Sequence, residues 1–70
     1  MSATIQKIAD HLEAATEAQQ RSTAALICLR QSNDTGDVLG MIEALHQAAM
    51  AETEAASFLW QAALAARGLR

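Results

Sequence analysis

Gln31-Ser32-Asn33-Asp34-Thr35-Gly36-Asp37 is the cluster of turn-forming residues that decides how this chain folds. Asn, Asp, Ser and Gly favour turns because they bond their own backbone or tolerate left-handed conformations. The cluster sits near the middle of 70 residues and separates two halves, each with helical periodicity and no proline. Asn33 suits the left-handed position after a helix end. Asp34 or Thr35 suits the N-cap of a second helix, and Asp34 and Asp37 put negative charge at the favourable pole of its dipole. Outward from this turn, the pattern predicts helix 1 at about 4–31, a turn at about 32–35 and helix 2 at about 35–67. Ser2 or Thr4 can cap the first helix. Gly68, flanked by Arg67 and Arg70, ends the second. A link this short makes the helices antiparallel neighbours. The fold class is all-α, a single helical-hairpin domain over residues 1–70.

Composition agrees. Alanine, the best helix former, is the dominant residue, and hydrophobic residues make up 51% of the chain against 19% charged, which suits long helices that pack together. The single cysteine, Cys28, forms no intrachain disulfide and lies in the apolar run Ala24–Leu29, where it reads as a small hydrophobe. The net charge of −3 argues against nucleic acid, whose phosphates require a basic stripe. No apolar run approaches the ~18 residues of a membrane span. The N-terminal residues lack the basic and apolar regions of a signal peptide. A cytoplasmic location is the expectation, the host cytoplasm if the chain is phage-encoded.

Helix 1 carries a stripe at alternating three- and four-residue spacing: Ile5, Ile8, Leu12, Ala15, Gln19, Ser22, Leu26 and Leu29. This is the pattern of a coiled-coil seam. The strongest stripe of helix 2 is Val38, Ile42, Leu45, Ala49, Ala56, Leu59 and Ala63, bordered by Met41 and Trp60. Folding at the turn pairs Leu26 and Leu29 with Val38 and Ile42, and Ile5 and Ile8 with Leu59, Trp60 and Ala63. Ile5, Ile8, Leu12, Leu26, Leu29, Ile42, Leu45 and Leu59 are therefore the expected core and dimer residues. One hairpin of this size barely offsets its chain entropy, so a second copy completing a four-helix bundle is the simplest stabilising partner. Glu52 projects towards the apolar stripe, level with Gln19, where a polar layer would fix register.

The motifs for chemistry are sparse. Glu43-Ala44-Leu45-His46 is a Glu-x-x-His, the unit that holds di-iron sites in some bundles. At ~100° per residue, however, Glu43 points towards solvent, and Glu13 and Glu17 lie opposite Ile8 and Leu12. The carboxylates do not converge, and no metal or cofactor is expected. No nucleophile–base spacing and no phosphate loop is present, so no catalytic residue is assigned. Phe58 stands on the polar side of helix 2, aligned with Ala44, Ala51, Ala62 and Ala65. This second, shallower apolar strip marks a dimer seam or a partner surface. Trp60 and Arg67 are of the types enriched at interface hot spots. Phe58, Trp60, Glu54 and Arg67 are the expected partner-binding residues.

Two long helices around Asn33-Asp34-Thr35-Gly36-Asp37 resemble the plasmid copy-number regulators that dimerise as four-helix bundles and bind RNA loops, but the basic RNA-binding face is missing here. Size, alanine-rich composition and hairpin plan also resemble the small phage-encoded quorum-sensing anti-activators. That resemblance implies a homodimer that inhibits a host protein, a LuxR-type transcription regulator. The expected function is a small protein-binding regulator or inhibitor. The alternatives are a structural self-assembly module and a metal-binding bundle through Glu43 and His46.

Overall fold

A computed structural model describes residues 2–69, and in it the chain is two helices packed as an antiparallel hairpin. Helix α1 spans Ala3–Thr35 and α2 spans Val38–Arg67. At ~1.5 Å per residue, helices this long make a rod, and the hairpin measures 52 × 16 × 12 Å. Ser2 caps α1, its hydroxyl accepting from the Ile5 N–H at 3.1 Å. Arg70 lies outside the described residues.

The turn is tighter than the sequence pattern predicts. Helix α1 runs on through Ser32, Asn33, Asp34 and Thr35. The left-handed residue is Gly36, with φ of 72°, not Asn33. The Gly36 N–H donates to the Asn33 carbonyl at 3.3 Å, and the Asp37 N–H to Ser32 at 2.8 Å. These two bonds satisfy carbonyls that a helix end otherwise leaves open. Thr35 stays helical and its hydroxyl donates back to the Gln31 carbonyl at 3.1 Å. The N-cap of α2 is Asp37, whose carboxylate accepts from the Gly40 N–H at 2.9 Å, and neither Asp34 nor Thr35. Gly wins over Asn because it reaches positive φ without a Cβ penalty. A side chain at Gly40 would also collide, since a Cβ there would lie 2.6 Å from Ser32 Oγ and against the Asp37 carboxylate.

The seam between the helices corrects the expected pairing of large residues. On α1 the buried and half-buried residues are Thr4, Ile8, His11, Ala15, Ala18, Ser22, Ala25, Leu29 and Ser32, with Ala14 beside them. On α2 they are Met41, Ala44, Ala48, Ala51, Ala55, Phe58, Ala62 and Ala65, with Gly40 at the turn. Both rows alternate three and four residues, the spacing of an antiparallel coiled coil. Ala18 and Ala55 are 0% exposed. Only Ile8 and Leu29, of the expected core residues, take part in this seam. Small side chains let the backbones approach to the short end of the usual 8–10 Å helix spacing. A row of leucines would hold them apart, so the larger side chains are displaced to the flanks.

Candidate interaction surfaces

Residues seven apart in a coiled coil share a face. Ile5, Leu12, Gln19 and Leu26 flank the seam on α1, and Val38, Leu45, Glu52 and Leu59 flank it on α2. A hydrogen bond ties the two rows to one side of the hairpin: Gln19 Nε2 donates to Glu52 Oε2 at 3.5 Å. Ile42, Ala49, Ala56 and Ala63 widen the α2 row. The seven large side chains on this face, Ile5, Leu12, Leu26, Val38, Ile42, Leu45 and Leu59, are each 46–63% exposed. Single exposed leucines are ordinary, but a contiguous apolar face of this kind marks an interaction surface.

The chain exposes 5130 Å², more than the about 4,200 Å² of a compact monomer of 7.4 kDa, as its elongated 52 × 16 × 12 Å shape requires.

One polar level, Gln19 with Glu52, interrupts the two rows of the apolar face. Ser22, in the seam and 1% exposed, donates to Glu52 Oε1 at 2.6 Å. Each carboxylate oxygen of Glu52 thus accepts one bond from α1. Among the described residues, no buried side-chain polar atom lacks a partner.

The opposite broad face is polar. It carries Lys7, Arg21 and Cys28 from α1 and Gln47, Glu54 and Gln61 from α2. Arg21 and Glu54 form an ion pair at 2.6 Å. The pair spans an open groove of about 390 Å³, also lined by Ala24, Cys28, Gln47 and Met50. Both charged side chains are about half exposed, so the pair contributes at most about 1 kcal/mol. Cys28 is exposed here and not packed as a core hydrophobe.

The residues expected to bind a partner are not brought together. Phe58 is half-buried on the seam side of α2. The strip it shares with Ala44, Ala51, Ala62 and Ala65 lies in the hairpin's own seam, which corrects its reading as a dimer seam or partner surface. Glu54 belongs to the polar face. Trp60 and Arg67 stand on the outward side of α2, seven residues apart, with Trp60 60% exposed. The Arg67 guanidinium lies over the Trp60 ring, 5.9 Å from its centroid, and Leu64 is exposed between them in sequence.

Glu43 and His46 are both exposed. No group of three or more His, Cys, Asp or Glu side chains among the described residues could hold a metal ion. No helix among them is long and apolar enough to cross a membrane. Comparison with protein-family models, curated proteins and solved structures gave no match.

Proposed function

We propose that this chain is a protein-binding regulator that acts as a homodimer and performs no catalysis of its own. The observation that carries the reading is the division of its apolar residues. Alanines close the hairpin, while seven large side chains stand on one exposed face beside the seam. A second hairpin laid on that face makes a four-helix bundle and buries them. At ~25 cal/mol per Å², covering such a face is a substantial contribution for a chain too short to build a large core alone.

With that face covered by a second copy, most of the large apolar residues left for a target stand on the outward side of α2, with Ile27 on α1. Trp60, Leu64 and Arg67 form the strongest group, since a rigid aromatic beside an arginine is the usual anchor of a protein interface. The target class implied by the resemblance to phage anti-activators is a host transcription regulator.

Light scattering at micromolar concentration tests the assembly. Wild type is expected to have twice the chain mass, and Leu12→Asp/Leu59→Asp to fall to the chain mass. A wild-type monomer removes the dimer from the reading. A quorum-sensing reporter strain expressing the chain tests the regulator. Reporter output is expected to fall with wild type and recover with Trp60→Ala, whose dimer stays intact. Unchanged output with wild type removes the inhibitor reading and leaves a self-assembly module.

A further inference from the structure

The apolar face is symmetric about its one polar level. On α1, Gln19 lies midway between Leu12 and Leu26; on α2, Glu52 lies midway between Leu45 and Leu59. The Gln19–Glu52 hydrogen bond sets these rows level with one another. The face is therefore a leucine layer, a polar layer and a leucine layer, separated by steps of about 10.5 Å. Whatever covers the face must present apolar groups at the outer levels and hydrogen-bond donors at the central one. A carboxylate can accept about four bonds, and Glu52 receives one at each oxygen, from Ser22 at 2.6 Å and from Gln19 at 3.5 Å. An apolar group pressed over it would strip its water and return nothing.

We infer that the surface matching this pattern is the same face of a second copy, and that the Ser22–Glu52–Gln19 layer sets the register in which the two copies dock. This rests on the homodimer proposed above. Gln19 of the second copy supplies a donor at the central level, and its leucine layers meet the outer levels. The match holds with the two turns at the same end, where the two-fold sets α1 of each copy over α2 of the other and Gln19 over the partner's Glu52; with the turns at opposite ends the two Glu52 carboxylates would face each other without a donor. A slip of one heptad sets leucines over both Glu52 carboxylates and is penalised. Burying a polar group for register at a cost in stability is the best-attested use of such layers.

The lone cysteine makes the test direct. Cys28 is exposed on the opposite face, so a nitroxide label there leaves the docking face unaltered. Pulsed electron–electron resonance on the labelled wild-type dimer is expected to show one interspin distance. Glu52→Leu is expected to keep or raise the melting temperature and to split that distance into several populations. Gln19→Leu, which keeps the Ser22–Glu52 bond, is expected to broaden it in the same direction. Glu52→Gln, still able to bond Ser22, is expected to keep the single distance. A single unchanged distance in both leucine variants, or several distances in wild type, overturns the register role while leaving the dimer standing. A chain mass found for unlabelled wild type by light scattering removes the dimer itself, and is read separately.

Discussion

The inner seam and the neighbouring apolar face run side by side along the same two helices, yet they are built from different residues. The seam is alanine at most levels, with Ser22 buried among them. The face is leucine, isoleucine and valine around a single bonded carboxylate. Both would score as hydrophobic, so hydrophobicity alone does not say which row closes the hairpin. Size does. Two helices on their own pack best when small side chains let their backbones meet. Large side chains beside such a seam have nothing within the chain to fill, and they stay half exposed. They suit the wider space between two hairpins.

The strongest way to break this contrast is to enlarge the seam. Ala55→Leu puts three extra carbons where nothing is exposed and is expected to cost about 3 kcal/mol, the upper end of the usual range for overpacking. For a chain of this size, that corresponds to a drop in melting temperature on the order of 12–24 °C. Circular dichroism of wild type and variant at the same protein concentration would record the loss, since the melting temperature of a dimer itself moves with concentration. A melting temperature equal to that of wild type would mean that the seam is looser than close helix packing requires.

A smaller effect is expected at the turn, which aligns both rows at once. Asp37→Ala removes the bond to the Gly40 N–H and is expected to cost about 1 kcal/mol, typical of a lost N-cap. Urea titration followed at 222 nm would show a lower midpoint with an unchanged slope. A changed slope would point instead to helices that no longer pack as one unit.

The smallest effect is expected on the polar face. Arg21→Ala breaks the ion pair with Glu54, but both side chains are well exposed and the cost is about 0–1 kcal/mol. Raising the salt concentration in wild type should mimic most of it. A larger loss would assign this face a packing role that its exposure does not suggest.

Much of the fold is legible in the residues. The single turn cluster, the absence of proline and the alternating apolar spacing lead to two helices and one hairpin. One half of the α1 stripe, Ile8, Ala15, Ser22 and Leu29, does lie in the seam. The other half, Ile5, Leu12, Gln19 and Leu26, stands one step round on the exposed face. On α2 the stripe of largest residues lies wholly on that face. The signal that could have placed the seam was present in Ala44, Ala48, Ala51 and Ala55, which keep three–four spacing without one large residue, continued by Phe58 and Ala62. A reading that weights side chains by size passes over such a row. Phe58 shows the same bias: judged against the leucine stripe it lies on the polar side, although the helix partner lies there. The surfaces were less legible still. Trp60 and Arg67 are adjacent because seven residues bring them to one side of α2, but whether that side faces α1 depends on which row forms the seam.

The residue pattern determines the secondary structure and the connection, because helix propensity, capping and turn chemistry act within a few residues of each other. It also determines that apolar surface must be buried somewhere. Which of two adjacent apolar rows closes the hairpin is a tertiary matter, decided by how near the two backbones can come. That distance is set by Ala18, Ser22, Ala48 and Ala55 acting together across the seam, and no local window of the chain contains both sides of it.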